Sequence, residues 1–317
     1  MLKINIPLSV PKQSQLAYQK NYAALTNNSG NLLLIAGDQK IEHLNDDFFG
    51  AGITPEDASP EHLFKIAAGS KGGVLATQLG LVAQYGKDYQ NIPYIIKLNG
   101  KTNIGINEEK NSSHCLWEIT DVLNLKKQSG LKIIGIGYTL YLGGKYEAEM
   151  LATAAKAINE AHQNGLTAIL WVYPRGKYIK EEDIHTIAGG AGVAACLGAD
   201  FVKVKYPYSA KDKTSAAQKF NEVVLAAGKT KIICVGGTKR TPKEILDDLE
   251  KQITISKTAG IAIGRNLHQR SLGEVNRLNA AMGAIIFKGA KAKAAYSIYL
   301  NKKNPENKKT TKFLGLF

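Results

Sequence analysis

Short apolar runs alternate with amphipathic segments along most of the chain, from about residue 32 to about residue 289. The runs have the length of β-strands and are apolar nearly throughout, which is typical of parallel strands covered by other elements. They predict eight strands: Leu32–Gly37, Gly73–Thr77, Tyr94–Leu98, Ile133–Tyr141, Ala168–Tyr173, Phe201–Tyr206, Lys231–Val235 and Gly260–Ile263.

The segments between these runs have the length and polarity pattern of helices. One predicted helix begins at Ser59-Pro60-Glu61 and another at Thr241-Pro242, where proline takes the first helical position. Further helices are predicted over Leu116–Lys127, Tyr146–Gln163, Ala188–Leu197, Ser215–Ala227 and Leu272–Phe287. Only the link between the second and third strands lacks a clear helix signal.

Eight strands separated by helices predict an α/β fold in which a parallel sheet closes into a single (β/α)8 barrel, or TIM barrel. The barrel takes residues 31–290, with an N-terminal extension over residues 1–30, an insertion at Asn99–His114 and a basic C-terminal tail over residues 291–317. A doubly wound open sheet is the alternative. Its usual GxGxxG loop is absent after the first strand, where the chain reads Ala36-Gly-Asp-Gln-Lys-Ile-Glu-His43.

The composition is that of a soluble globular protein, with 317 residues of which 44% are hydrophobic and 21% are charged. Cys115, Cys196 and Cys234 are widely spaced, which indicates neither a disulfide framework nor a zinc site and suits a reducing cytoplasm. The N-terminus carries no signal-peptide pattern, and no apolar run reaches membrane-spanning length. We therefore predict a cytoplasmic protein without a membrane partner.

The net charge is +14, and part of it lies in the tail segment Asn301–Lys312. A basic run can bind nucleic acid or anionic lipid, but a solvated tail is the more frequent explanation. No nucleic-acid-binding motif accompanies it, and other cations fall at predicted strand ends, where they suit a small substrate bearing phosphates. We therefore predict a phosphorylated substrate as the partner and no nucleic acid.

Two lysines, Lys203 and Lys205, lie two positions apart on the sixth predicted strand. Because side chains alternate between the faces of a strand, both point to the same side. Two cations in one partly desolvated pocket lower each other's pKa, which yields the neutral amine that attacks a carbonyl to form a Schiff base. The alternative is a pair of solvated lysines at an exposed strand end, and these residues alone do not decide between the two.

The active site of a TIM barrel lies at the carboxyl ends of its strands. The candidates there are Asp38, Glu42 and His43 after the first strand, Lys97 to Lys101 after the third, and Trp171, Tyr173 and Arg175 on the fifth. The last three alternate, so they face the barrel mouth together with the lysines. Each of these residues, taken alone, could have a purely structural role, such as capping a turn or filling the barrel. Because they all meet at one rim of the barrel, catalysis is the favoured interpretation.

Glycines at the ends of the last two strands predict a phosphate site. The seventh strand ends in Val235-Gly236-Gly237-Thr238 and the eighth in Gly264-Arg265-Asn266. Glycines let backbone N–H groups approach a phosphate, and the guanidinium group of Arg265 adds a positive charge with paired N–H donors. The loops after these two strands are also the usual phosphate site of the fold. The histidines show no metal-ligand spacing, so we predict neither a metal nor another cofactor.

In these motifs the chain resembles the archaeal-type class I fructose-bisphosphate aldolases, a group that includes the aminodideoxyheptulosonate synthases. The resemblance runs from about Leu32 to Arg270. It rests on Asp38 with Glu42-His43, Lys97-Leu-Asn-Gly-Lys-Thr102, Gly137-Tyr-Thr-Leu-Tyr141, Trp171-Val-Tyr-Pro-Arg-Gly176, Gly198-Ala-Asp-Phe-Val-Lys-Val-Lys-Tyr206, Gly236-Gly237 and Gly264-Arg-Asn266. Several motifs in the right order make it specific.

The resemblance implies a carbon–carbon lyase that cleaves fructose 1,6-bisphosphate reversibly into dihydroxyacetone phosphate and glyceraldehyde 3-phosphate, with a role in glycolysis and gluconeogenesis. It implies that Lys203 forms the Schiff base, Tyr173 is the general acid/base and Asp38 orients the carbinolamine. It also implies a homo-oligomer, and Lys205 as an electrostatic modulator. We expect the substrate-binding residues to be Trp171 at the sugar, Gly236, Gly237, Gly264 and Arg265 at the phosphate, and Lys205, Arg175 and His43.

Two positions depart from the family pattern. Gln39-Lys40 replaces the expected His-Gly after Asp38, and Val235 replaces a serine before the paired glycines. Both changes spare the chemical step and leave the identity of the phosphate-bearing substrate open. Three other functions also stay open: a Schiff-base transaldolase such as an aminodideoxyheptulosonate synthase, a non-catalytic phosphosugar sensor, and a nucleic-acid or anionic-surface binder that acts through the tail.

Overall fold

The structure, a computed structural model, describes residues 3–104, 111–176 and 179–301. Its strands are, in chain order, β1 (Leu32–Ala36), β2 (Gly73–Gln78), β3 (Tyr94–Lys97), β4 (Asn99–Gly100), β5 (His114–Cys115), β6 (Ile133–Leu142), β7 (Thr167–Pro174), β8 (Phe201–Val204), β9 (Lys231–Val235) and β10 (Gly260–Ile263).

The α-helices are α1 (Gln15–Leu25), α2 (Gln39–Glu42), α3 (Glu61–Ala68), α4 (Leu79–Tyr85), α5 (Ile119–Ser129), α6 (Glu147–Gln163), α7 (Ile184–Cys196), α8 (Lys213–Lys219), α9 (Asn221–Ala227), α10 (Pro242–Thr254), α11 (Arg265–His268), α12 (Leu272–Lys288) and α13 (Ala292–Tyr299). Short 3₁₀ helices cover Lys12–Ser14, Pro55–Ala58 and Gly86–Tyr89.

Eight of these strands close into a barrel in the order β1-β10-β9-β8-β7-β6-β3-β2. Every pairing between them is parallel. The boundaries of all eight predicted strands fall within two residues of the observed ones. The predicted TIM barrel is therefore confirmed.

The barrel has one apolar cluster inside and a larger one outside. Alternate residues of the strands point inward, among them Trp171 and Phe201, and the intervening ones, such as Val202, pack against the helices. Tyr22 and Leu25 of α1 join the inner cluster, and the Tyr22 ring lies 5.8 Å from the Phe201 ring. Helix α1 therefore closes the amino-terminal end of the barrel, and the mouth lies at the carboxyl ends of the strands.

Helices α4 and α7 and the predicted helix Ser215–Ala227 differ most from the prediction, and α5 begins three residues later than predicted. The link between β2 and β3 contains α4, which has no capping side chain and includes Gly80, so its sequence carries no clear helix signal. Helix α7 begins one turn earlier than predicted because the Asp183 side chain accepts a hydrogen bond from the Thr186 backbone N–H. The predicted helix Ser215–Ala227 is divided at Phe220 into α8 and α9.

The predicted additions to the barrel are described in part. Within the insertion, β4 and β5 pair in antiparallel fashion, and residues 105–110 lie outside the described residues. The segment predicted as a tail begins with α13, which packs against α10 and α12. Residues 302–317, with most of the basic run, lie outside the described residues. None of the helices in the described ranges is long and apolar enough to cross a membrane.

Gly260, at the start of β10, adopts φ +134°, a conformation that side chains rarely tolerate. A Cβ atom there would lie 1.9 Å from the Leu32 carbonyl oxygen on β1. We therefore expect Gly260→Ala to lower the free energy of unfolding by about 3 kcal/mol or more, measured by urea titration followed by circular dichroism.

The matched control for this substitution is Gly189→Ala in α7. Gly189 is exposed, and a Cβ atom there would meet no atom within 4 Å. Because alanine is the better helix former, we expect this variant to gain about 0.5–1 kcal/mol. A Gly260→Ala variant as stable as the wild type would contradict the close approach of β1 and β10.

Candidate active site

Three ionisable side chains, Asp38, Lys97 and Lys203, lie buried in the barrel mouth. Lys97 ends β3, Lys203 lies on β8, and Asp38 follows β1 directly before α2. Lys97 Nζ lies 4.0 Å from Asp38 Oδ2. The Nζ atoms of Lys97 and Lys203 lie 5.3 Å and 5.2 Å from the centroid of the Trp171 ring. Trp171 therefore forms a shared wall for both ammonium groups.

The surroundings of Lys203 favour its neutral form. Its side chain is only 6% exposed, and burial lowers its pKa because desolvation disfavours the charged ammonium. The carboxylates of Asp38 and Glu42 raise the pKa, and Arg265 lowers it, with a net shift downward. At a given pH, more of Lys203 is therefore the neutral amine, which is the form that attacks a carbonyl carbon.

Tyr173 lies half-buried on β7, and its ring is held from two sides. It stacks on the ring of Tyr141, with centroids 6.0 Å apart and planes at 28°, and the Arg175 guanidinium carbon lies 5.2 Å from its centroid. Burial raises the pKa of the Tyr173 phenol, Glu42 raises it further, and the Arg175 charge opposes both. The phenol is therefore protonated at neutral pH and available as a proton donor.

Lys205, the second lysine of the sequence pair, forms an ion pair with Glu181. The other oxygen of the same carboxylate lies 3.5 Å from Nε of Arg175. The Lys205 side chain is 29% exposed, so this cluster belongs to the solvated rim of the mouth. The buried lysine that shares the Trp171 wall with Lys203 is instead Lys97, from a different strand.

The loop after β9 is held by Asn266, which follows β10. The Asn266 side-chain N–H groups donate to the carbonyl oxygens of Gly236 at 3.0 Å and Thr238 at 2.8 Å. Gly237 adopts φ +71°, which glycine supplies at little cost. The paired glycines thus form a tight turn whose backbone is fixed by a buried amide.

Gly264 and Arg265 lie beside this loop, at the start of α11. A Cβ atom on Gly264 would come 2.0 Å from Oε1 of Gln39, so the residue that departs from the family pattern packs directly against the glycine. Arg265 Nε lies 3.7 Å from Asp47 Oδ2, and His43 Nδ1 lies 2.5 Å from the same oxygen. The predicted phosphate residues therefore meet at one side of the mouth, and Asp47 links His43 to them.

Sequence reasoning left two side chains of this site without a role. Lys97 is one, and Glu42 is the other. Glu42 raises the pKa of Lys203 and of Tyr173, and its buried Oε1 has no hydrogen-bond partner among the described residues. Lys97 ends β3 and Glu42 ends α2, which follows β1, so their places at the carboxyl edge were a signal, but only the closed barrel shows which groups they face.

The described residues form no candidate metal site. Over residues 3–104, 111–176 and 179–301, no group of three or more His, Cys, Asp or Glu side chains is arranged to hold a metal ion. The three cysteines are free thiols.

Several known proteins are similar in sequence to this chain over most of its length. A model described as DeoC/LacD family aldolase matches residues 32–270. A Methanocaldococcus jannaschii protein named fructose-bisphosphate aldolase/6-deoxy-5-ketofructose 1-phosphate synthase is 51% identical over 297 residues, covering 93% of this chain and 94% of the relative. The fructose-bisphosphate aldolase class 1 of Thermoproteus tenax is 29% identical over 264 residues, covering 83% and 92%.

Two solved structures are similar in fold and sequence. The fructose-bisphosphate aldolase from Slackia heliotrinireducens has a TM-score of 0.91 and 42% identity, and the match covers 95% of each chain. An archaeal fructose-1,6-bisphosphate aldolase, with its catalytic lysine covalently bound to the carbinolamine intermediate, has a TM-score of 0.72 and 27% identity, over 85% of this chain and 99% of the other. This chain therefore belongs to the DeoC/LacD family of aldolases and, within it, to the archaeal-type class I fructose-bisphosphate aldolases that its motifs predicted.

Proposed function

We propose that this chain catalyses the reversible cleavage of fructose 1,6-bisphosphate into dihydroxyacetone phosphate and glyceraldehyde 3-phosphate, with Lys203 as the Schiff-base residue. The observation that carries the proposal is the buried Lys203 amine at the barrel mouth, whose pKa is lowered by desolvation. Relatives named for this activity cover almost the whole chain, and one similar structure holds a carbinolamine on its lysine.

The first half of the reaction forms the electron sink. The neutral Lys203 amine attacks the C2 carbonyl, and its proton moves to the former carbonyl oxygen to give a carbinolamine. Asp38 orients that hydroxyl group, and the protonated phenol of Tyr173 donates a proton to it, so that it leaves as water. The products of this step are an iminium ion on Lys203 and a phenolate at Tyr173.

The second half breaks the carbon–carbon bond. The Tyr173 phenolate accepts the proton of the C4 hydroxyl, the C3–C4 bond breaks, and glyceraldehyde 3-phosphate leaves an enamine on Lys203. The phenol then protonates C3, and water hydrolyses the iminium to release dihydroxyacetone phosphate, with one proton returned to the phenolate. The raised pKa of Tyr173 suits this cycle, because the phenol must begin and end it protonated.

The two phosphates need cations at opposite ends of the sugar. Gly236, Gly237, Gly264 and Arg265 supply backbone N–H groups and a guanidinium for the phosphate on the ketone side. At the other end of the sugar, the rim cations Arg175 and Lys205 bind the second phosphate, with Trp171 along the sugar chain between them. His43 acts through Asp47, which it shares with Arg265.

A second activity is favoured by the Methanocaldococcus jannaschii relative, whose name also includes 6-deoxy-5-ketofructose 1-phosphate synthase. That product shares carbons C1 to C3 with fructose 1,6-bisphosphate, and cleavage of its C3–C4 bond yields dihydroxyacetone phosphate and methylglyoxal. The same enamine on Lys203 therefore forms 6-deoxy-5-ketofructose 1-phosphate by adding to the aldehyde of methylglyoxal, and the reaction needs no new catalytic group.

One experiment tests both activities on the purified full-length chain. Cleavage of fructose 1,6-bisphosphate is followed by reduction of dihydroxyacetone phosphate with glycerol-3-phosphate dehydrogenase and NADH. A parallel reaction holds dihydroxyacetone phosphate and methylglyoxal, and its product is identified by mass spectrometry. We expect turnover in both, unchanged by EDTA, because the iminium takes the place of a metal as electron sink.

The outcomes separate the candidates. Product from methylglyoxal alone would assign the synthase activity, and cleavage alone would assign the aldolase. Loss of both activities in EDTA, or no turnover by folded protein that binds the substrates, would contradict the Schiff-base enzyme. The homo-oligomer, the cytoplasmic location and the role in glycolysis and gluconeogenesis stay predictions.

A further inference from the structure

The loop that follows α2, here called the β1 loop, lies beside the residues proposed to bind the ketone-side phosphate. It covers residues 43–54, between α2 and the 3₁₀ helix Pro55–Ala58. Phe48 is 1% exposed, and its ring stacks on that of His268 in α11, with centroids 4.5 Å apart and planes at 9°. The Asp47 carbonyl oxygen accepts a hydrogen bond from the Gln269 side chain at 2.9 Å. The β1 loop is therefore fixed against the segment directly after β10.

A second contact joins the β1 loop to the turn formed by the paired glycines after β9. Lys239 follows that turn, and its Nζ donates to the Gly52 carbonyl oxygen at 2.7 Å and to the Gln269 carbonyl oxygen at 2.9 Å. One ammonium group thus links the segments that follow β1, β9 and β10. The β1 loop therefore contacts both segments to which we assign the phosphate.

The Asp47 side chain is the charged contact between the β1 loop and Arg265. Its Oδ2 lies 3.7 Å from Arg265 Nε and accepts a hydrogen bond from His43 Nδ1 at 2.5 Å. The Asp47 side chain is 16% exposed and that of Arg265 is 27% exposed, so water screens the ion pair only in part. Burial raises the pKa of Asp47, but the hydrogen bond from His43 and the nearby positive charges bring it below its ordinary value. Asp47 is therefore a carboxylate at neutral pH.

The position of Asp47 suits a residue that orients Arg265 for a ligand. A guanidinium group has one N–H donor on Nε and four on its two Nη atoms. Asp47 faces Nε, so it leaves the Nη1–Nη2 edge for the paired hydrogen bonds that bind a phosphate. An arginine held in one orientation before the ligand arrives loses less side-chain entropy on binding, which strengthens the binding.

A carboxylate beside a phosphate site also repels the phosphate, which is the alternative role for Asp47. The contacts favour orientation. The oxygen that faces Arg265 also accepts the His43 hydrogen bond, which offsets part of its negative charge. The contact with Arg265 is on the Nε side, away from the edge that is left for the phosphate.

We propose that Asp47 is a positioning residue of the aldolase reaction, which holds the Arg265 guanidinium in the orientation that binds the ketone-side phosphate. The proposal deepens the proposed function and rests on it. Asp47 acts through Arg265 and does not itself contact the substrate. Its loss should therefore weaken the binding of phosphorylated ketones and spare the chemistry at Lys203.

The test compares a phosphorylated with an unphosphorylated ketone in Asp47→Asn, which removes the charge and retains the shape. Adducts on Lys203 are trapped with cyanoborohydride at increasing concentrations of dihydroxyacetone phosphate or of dihydroxyacetone. We expect the half-saturating concentration of dihydroxyacetone phosphate to rise about fivefold or more, because Arg265 loses its ion pair. The second-order rate constant of trapping with dihydroxyacetone, which has no phosphate, should change less than about twofold.

A double-mutant cycle measures whether Asp47 acts through Arg265. In an Arg265→Met background, Asp47→Asn should change the half-saturating concentration of dihydroxyacetone phosphate less than about twofold, because the cation is already absent. Asp47→Glu retains the charge and should recover most of the affinity. The matched control is Asp46→Asn, which removes the same charge from an exposed position of the same loop and should stay within about twofold of the wild type.

An unchanged half-saturating concentration in folded Asp47→Asn overturns the proposal, and a lower one would show that the carboxylate repels the phosphate. An equal loss with dihydroxyacetone, an equal effect of Asp47→Asn with and without Arg265, or wild-type affinity in Arg265→Met also overturns it. Unfolding of both Asp47→Asn and Asp47→Glu, seen by circular dichroism, would make Asp47 a structural residue and overturn it too. In failure of the proposed function, by contrast, the wild-type protein itself forms no adduct at Lys203.

Discussion

Lys203→Met is expected to abolish both the Schiff base and turnover, with kcat at least about 10⁴-fold below the wild type, or about 5 kcal/mol of barrier. The reason is that the iminium is the electron sink for cleavage, and Lys97, another buried lysine of the mouth, donates its hydrogen bonds to Asn99. Borohydride reduction with dihydroxyacetone phosphate, followed by mass mapping of the peptide Val202 to Lys211, measures the adduct directly.

The matched control is Lys205→Met, which removes the cation two residues further on. Lys205 is paired with Glu181 at the rim, so we expect the adduct to form in this variant and to map to Lys203. The Lys203→Met protein should remain folded, because it exchanges a buried amine for an apolar side chain of similar length. An adduct on Lys97 in Lys203→Met, or retained turnover, would refute the assignment.

Tyr173→Phe is expected to lower kcat for cleavage by about 10²- to 10⁴-fold, the usual contribution of a general acid/base. The ring remains, so its stacking on Tyr141 and its contact with Arg175 are kept, and only the hydroxyl group is lost. Without it no group donates to the carbinolamine hydroxyl or accepts the C4 hydroxyl proton. The coupled assay measures cleavage, and slow borohydride trapping on Lys203 should persist.

Tyr141→Phe is the control for this loss. Tyr141 is 1% exposed, and its ring lies 6.0 Å from that of Tyr173, so each substitution removes one hydroxyl group from the same stack. We expect Tyr141→Phe to change kcat less than about tenfold. Near-native turnover in Tyr173→Phe, or an equal loss in both variants, would remove Tyr173 from the role of proton donor and acceptor.

Local sequence signals explain why the barrel was predictable and where the prediction was wrong. Apolar runs mark parallel strands because both faces of such a strand are covered, and the cap at Thr241 marks the start of α10. Helix α4 carries neither signal: it is short, contains Gly80 and has no capping side chain. The start of α7 was misplaced because the Asp183 cap was not recognised next to the glycines of that helix.

The chain pattern also determined which groups lie at the mouth. Strand parity and strand ends suffice to bring Asp38, Tyr173 and Lys203 to the carboxyl edge of a parallel barrel, because all strands end there. The same parity argument placed Lys203 and Lys205 on one side of a strand, but it left open whether they share a pocket or lie at an exposed strand end. Beyond the last residue of β8, however, the rim is solvated, and Lys205 turns to Glu181.

Only the tertiary structure decided which charges meet. Lys97 and Lys203 lie far apart in the chain, on strands separated by β6 and β7 in the barrel, and they share the Trp171 wall because the barrel is closed. Periodicity reports the face on which a side chain lies, but not the distance across the barrel, the depth of burial or the acceptors within reach. Those three quantities influence the pKa of each lysine, so the chain pattern determined which ionisable groups lie at the mouth and the packed barrel determined the direction in which their pKa values shift.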